Sequence, residues 1–153
     1  MVQLVLPNDA NTLGNALGGT VMHWIDLAAA VVAHRHCRTE AVTASIDQVS
    51  FEAPIRVGQL AIIAARMTYT GRTSMEIRVD VECEDLGTGK RNRTSTAYLT
   101  FVSIDNQGRP RSVPPLIPET AEERREARAA EARRALRLKR RTADEPPRET
   151  THR

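Results

Sequence analysis

Asp26 is the residue whose setting asks for a chemical explanation. It stands between Trp24-Ile25 and Leu27-Ala28, inside the most apolar stretch of the chain. An unpaired carboxylate buried in such surroundings is costly, so it is either satisfied by hydrogen bonds or kept for chemistry. Two further features bear on that choice. Gly19 precedes Asp26 by seven residues, two helical turns, which puts both on one helix face. With Gly18 it marks a helix entrance whose free amides can receive a developing oxyanion. Asp9-Ala10-Asn11 then supplies a polar loop leading into the same helix. A carboxylate, a carboxamide and unpaired backbone amides around one helix are the parts needed to hydrolyse an acyl substrate.

Other candidate constellations are weaker. His34 and His36 are two residues apart, do not share a helical face and make a poor metal pair. His23, three residues before Asp26, either touches it or simply packs. Cys37 and Cys83 match neither a disulfide framework nor a zinc spacing and read as reduced thiols. There is no phosphate-cradling loop, Cys-His dyad or G-x-S-x-G elbow. No metal site is expected.

The elements that must position Asp26 follow from periodicity. Leu17 to Cys37 is apolar around most of a helical circumference and predicts one long buried helix. Beyond it the period becomes two. Val42 to Phe51, Val57 to Thr70, Met75 to Cys83 and Arg93 to Ile104 read as strands, with a short one at Gln3 to Leu6. Met75, Ile77, Val79, Val81 and Cys83 point to a buried face, and Glu76, Arg78, Asp80 and Glu82 to a wet one. Short connections such as Gly71-Arg72 and Gly87 to Lys90 imply antiparallel neighbours. The expectation is an α+β fold, an antiparallel sheet wrapped around a single long helix. One sheet cannot cover so apolar a helix, so dimerisation is expected to complete its burial.

Composition bounds the rest. Only 3% of the 153 residues are aromatic, so the core is aliphatic. That scarcity argues against the stacking platforms of single-strand nucleic-acid binding. Residues 1–118 carry 11 basic and 11 acidic side chains, whereas 119–153 carry 11 and 8; the net +3 lies in the tail. The N-terminus lacks a basic region followed by a long apolar run, and Leu17 to Ala33 falls short of a membrane span. Residues 1–118 are expected to form the catalytic domain, with 113–118 an extended linker. Thr120 and Glu123 predict a capping box opening a charged, solvated helix over 119–141 with i,i+4 ion pairs. Residues 142–153 read as a disordered tail.

At the residues already singled out, a resemblance becomes specific. Asp9-Ala10-Asn11, Gly14-Asn15, Gly18-Gly19 and His23-Trp24-Ile25-Asp26 resemble the entry loop and central helix of hotdog-fold acyl-CoA thioesterases. The closest likeness is to the cytosolic long-chain acyl-CoA hydrolases and their bacterial single-domain relatives. It continues through Arg35 to Thr39, Val42 to Asp47, Phe51, Arg66 to Thr68, Thr73 to Ile77, Thr100 to Val102 and the Val113 to Thr120 run. It thus covers residues 4–140 in order, with family-like spacing.

The resemblance implies a hotdog fold and hydrolysis of acyl-CoA to free acid and CoA. Asp26 takes the place of the general base or nucleophile. Asn11 takes that of the residue orienting water or thioester, and would serve Asp26 of the partner subunit. Gly19 N–H would polarise the carbonyl. CoA contacts fall on Ala44, Ser45 and Ile46 and on Thr73, Ser74 and Met75, where strand-edge backbone could pair with the pantetheine amides. Arg72 would face a CoA phosphate. Homodimers, assembled as a trimer of dimers, a cytoplasmic location and no cofactor beyond the CoA of the substrate complete the implication. The rivals are a non-catalytic acyl-CoA sensor on the same fold, a hotdog dehydratase, whose His/Asp arrangement is missing, and a nucleic-acid module built on the basic tail.

Overall fold

The computed structural model describes residues 1–47 and 49–144. The elements are β1 (Val2–Leu4), α1 (Gly18–Cys37), β2 (Glu40–Ile46), β3 (Ser50–Phe51), β4 (Leu60–Thr70), β5 (Ser74–Glu84), β6 (Arg91–Ile104) and α2 (Ala121–Asp144). The described residues divide between two compact units, Met1–Leu116 and those from Ile117 to Asp144. Among the described residues no helix is long and apolar enough to cross a membrane.

In the first unit the strands form one antiparallel sheet in the order β1-β4-β5-β6-β2, with β3 also on β6. Its inner face meets α1. Val21, Trp24, Ile25, Ala28, Ala29 and Ala33 from the helix pack with Ile63, Met75, Ile77, Val79, Val81, Leu99 and Phe101 from the strands. Each large aliphatic side chain so buried contributes roughly 1.5–3 kcal/mol. Alanines on the helix let it lie close to the sheet.

The opposite face of α1 is open. Leu27 and Val31 are 44% and 50% exposed. Val42 and Ile46 of β2, an edge strand paired on one side only, are exposed as well. One sheet does leave part of this helix bare.

Differences from the sequence reading have physical causes. The run expected from Val42 to Phe51 is broken, because between the pairs Ile46↔Leu99 and Ser50↔Thr96 the chain has one residue more than β6 opposite. β1 stops at Leu4, since Pro7 opens a short 3₁₀ turn whose Asp9 carboxylate accepts the Leu6 N–H at 2.9 Å. Glu76, assigned to the wet face, is 1% exposed. Its Oε1 accepts the Thr68 hydroxyl at 2.8 Å, Thr68 lying at the β4 bulge between Met67 and Tyr69. Strand alternation tells which face a residue takes and not whether that face is covered. The supposed linker at 113–118 is partly tied down: Val113 N–H donates to Arg72 O and Leu116 N–H to Thr70 Oγ1.

In the second unit the capping box forms. Glu123 N–H donates to Thr120 Oγ1 at 3.1 Å, and the Glu123 carboxylate accepts Thr120 N–H at 3.0 Å. Backbone hydrogen bonds from Thr120 and Glu119 hold the Glu123 carboxyl below its ordinary range. Along α2, Arg133 pairs with Glu126 across two turns at 3.1 Å. Residues 142–144, expected in a disordered tail, continue α2, and the rest of that tail lies outside the described residues.

Candidate active site

α1 begins after Leu17, which is extended and offers no side-chain cap. Val21 N–H is the first to bond back, to Leu17 O at 3.0 Å. The amides ahead of it, Gly19 among them, therefore point out of the helix unpaired by its own carbonyls. A Cβ on Gly19 would meet nothing within 4 Å, whereas one on Gly18 would sit 3.5 Å from the Phe51 ring. Beside this entrance lies a cleft of about 280 Å³ lined by Val21, Phe51, Pro54, Ile55 and Thr94.

Asp26 is half-buried, not fully buried as its sequence neighbours suggest, because it lies where the covered side of α1 meets the open one. Its Oδ1 accepts the Thr43 hydroxyl of β2 at 2.7 Å. Among the described residues no hydrogen bond joins it to His23, and no arginine, lysine or histidine pairs with it. The β2 ladder breaks register between Thr43 and Ser45, leaving Ala44 as the extra residue next to the contact. Such bulges re-aim side chains.

Asn11 is fixed by its own loop. Its Oδ1 accepts Leu13 N–H at 3.0 Å and Asn15 N–H at 3.2 Å, an Asx-type turn. The loop is stitched to the helix entrance by Leu17 N–H to Asp9 O and by the Ala10↔Ala16 bridge. With Oδ1 occupied, the Nδ2 amide is the part of Asn11 left to act outward.

A single chain does not gather the three catalytic candidates at one point. Gly19 is two turns from Asp26, about 10 Å along the axis, and Asn11 lies in the loop before Gly18. Of the expected CoA contacts, Ala44, Ser45 and Ile46 lie on the exposed edge strand, with backbone groups open on one side. Ser74 and Met75 are paired on β6, Met75 also on β4, and the Met75 side chain is wholly buried in the core. Strand addition is thus available at β2 and closed at β5, a correction to the symmetrical reading of the two segments. What the second segment can offer a ligand is the side chains of Arg72, Thr73 and Ser74.

Thr43 is the participant that sequence reasoning passed over. The signal was faint: Val42-Thr43-Ala44-Ser45 alternates among small residues without showing which face meets the helix.

A model of the thioesterase superfamily matches residues 13–90. The cytosolic acyl coenzyme A thioester hydrolase of Mus musculus is 41% identical over 127 residues, which take in 82% of this chain and 33% of that protein. The chain thus spans about a third of this curated relative's length. The crystal structure of a hexameric acyl-CoA thioesterase superposes with a TM-score of 0.88 at 44% identity, over 92% of this chain and 90% of that one. The acyl-CoA hydrolase of Staphylococcus aureus, solved with butyryl coenzyme A, coenzyme A and coenzyme A disulfide, gives 0.86 at 36%, over 94% and 87%. That enzyme has also been solved with an aspartate, an asparagine and a threonine each replaced by alanine. The three are spaced along it as Asp26, Asn11 and Thr43 are here. With the hotdog arrangement of one helix in a curled antiparallel sheet matched along nearly its whole first unit, the chain belongs to the thioesterase superfamily.

Proposed function

We propose that the chain hydrolyses acyl-CoA thioesters to free acid and CoA, at sites shared between two copies of itself. The observation that carries this reading is the Asp26–Thr43 pair, a carboxylate held by one hydroxyl beside the open apolar face of α1. As general base, Asp26 takes a proton from water while the water oxygen attacks the thioester carbonyl. The C–S bond then breaks, and the CoA thiolate leaves and is protonated. As nucleophile, Asp26 would attack the thioester carbonyl, expel the CoA thiolate as the C–S bond breaks, and form a mixed anhydride that water then hydrolyses to the free acid. Gly19 N–H receives the carbonyl oxygen in both routes.

The separation of Gly19 from Asp26 within one helix fixes the division of labour. Asn11 and Gly19, at the helix entrance, act on the carbonyl from one subunit, and Asp26 with Thr43 acts from the other. Pairing through α1 buries its open apolar face and supplies both halves, giving two equivalent sites per dimer. The hexameric relative supports further assembly into a trimer of dimers. The open backbone edge at Ala44–Ile46 suits the pantetheine amides, and Arg72, Thr73 and Ser74 lie where they can meet the rest of CoA. The Val21–Phe51–Ile55 cleft beside Gly18 suits an acyl chain. No cofactor is called on, since CoA enters as part of the substrate. A cytoplasmic location matches the naming of the mouse relative.

The test is free-thiol release from acyl-CoAs of graded length, with wild type beside Asp26→Asn. Release by the wild type alone supports the reading. Binding without release by the wild type would make the protein a sensor. Mixing Asp26→Asn with Asn11→Asp chains, each strongly impaired alone, should raise turnover above either through the one intact site in each mixed dimer.

A further inference from the structure

We propose that the cleft at the C-terminal end of α1 binds a phosphate group. The cleft is a shallow, open one of about 430 Å³, lined by His34, Arg38, Thr39, Glu40, Asp105 and Arg111, among others. That volume lies in the range of small-ligand sites.

Arg38 points to the ligand. It caps α1 at φ 55°, the left-handed region, and among the described residues it is the one non-glycine with positive φ. Glycine takes that conformation freely, and the cap itself, Arg38 N–H to His34 O at 2.8 Å, needs no side chain. Backbone strain accepted for a guanidinium marks a place where the guanidinium is used.

The charges in the cleft are unequally committed. Glu40 meets His34 Nε2 at 3.1 Å. Asp105 accepts Gln107 N–H, Arg109 N–H and Arg109 Nε–H. The guanidinium groups of Arg38 and Arg111 have no hydrogen-bond partner among the described residues, although the Arg111 charge acts on Asp105. Two planar forks facing one cleft suit the oxygens of a phosphate monoester or diphosphate. The carbonyls ending α1 disfavour an anion, so affinity must come from these two arginines.

That chemistry has two sources: the phosphorylated end of an acyl-CoA, or a free nucleotide. Titration with inorganic diphosphate by calorimetry tests the site whether or not the chain is a thioesterase; only the kinetic arm rests on the proposed function. Binding should weaken about tenfold or more in Arg38→Gly and in Arg111→Ala, since each removes a charge-assisted contact. The melting temperature of Arg38→Gly should stay near wild type, because glycine relieves the strain. Should that variant instead lose stability, Arg111→Ala, which lies outside the cap, decides. No diphosphate binding to the wild type, or equal binding to wild type and Arg111→Ala, overturns the proposal. A raised KM in Arg38→Gly for acyl-CoA but not for acyl-pantetheine assigns the site to the CoA end. Unchanged KM values with ADP binding lost assign it to a free nucleotide.

Discussion

Asp26 and Asp80 are both half-buried carboxylates of the same unit, and the structure treats them oppositely. Asp80, on the outer face of β5, is met by Arg66 at 3.3 Å, Arg78 at 2.9 Å, Arg93 at 3.0 Å and the Thr96 hydroxyl at 2.8 Å. Arg78 in turn lies over the Tyr98 ring. Burial pushes the Asp80 carboxyl up, yet hydrogen bonds from Arg78 and Thr96, with the charges of Arg78 and Arg93, hold it below its ordinary range. Among the described residues Asp26 has one hydroxyl partner and no cation. A carboxylate ringed by donors has its lone pairs occupied and its charge neutralised, and it serves the fold. One with a single oriented contact keeps an oxygen for a proton or a carbonyl carbon.

Exchanging the two roles is the sharpest way to break that comparison. Asp26→Asn keeps the shape and the Thr43 contact but removes the carboxylate proposed as base or nucleophile, so kcat/KM should fall by about 10³-fold or more. The melting temperature should barely move, because no ion pair is lost. An Asp26→Asn protein that turns over normally would end the assignment. Asn11→Asp comes next. It retains the Oδ1 that holds Leu13 and Asn15 and loses the outward Nδ2–H donor, and a loss of about 10²-fold fits removal of one positioned donor. If Asn11→Ala unfolds the loop while Asn11→Asp is fully active, Asn11 is a turn residue and no more.

Thr43→Val tests the single contact that separates Asp26 from an unrestrained carboxylate. Valine preserves the branched shape of an edge-strand residue, so β2 should keep its register. About tenfold in kcat with KM little changed is expected, the worth of one hydrogen bond to a charged group. A rise in KM alone would place Thr43 in substrate binding instead.

Much of this contrast was legible in the sequence, and the reasons differ from residue to residue. α1 could be bounded to within a residue because its apolar circumference and the glycines at its mouth are local properties. β5 was readable for the same reason, down to the inward row from Met75 to Cys83. Asp26 stood out by its neighbours, but its half-exposure did not, because that depends on how much of the helix one sheet can cover. The break between β2 and β3 depends on a residue count across β6, which no single strand contains. Thr43 and the buried Glu76 were missed because alternation assigns a face and is blind to what lies opposite.

The smallest expected effect is on the other carboxylate. Asp80→Asn strips the charge from a ring of three arginines that stay partly in water, so screening limits the cost to about 1 kcal/mol. The sign of its pH dependence follows from the direction of its shift. The folded carboxyl titrates lower than the unfolded one, so its contribution is complete above the unfolded value of about 3.9. That contribution drains away as pH falls through the folded value. Melting temperatures of wild type and Asp80→Asn should therefore differ at neutral pH and converge below about pH 4. Thiol release at neutral pH should be the same for both. Should Asp80→Asn abolish turnover with its melting curve intact, the division between a carboxylate for structure and one for chemistry would be drawn in the wrong place.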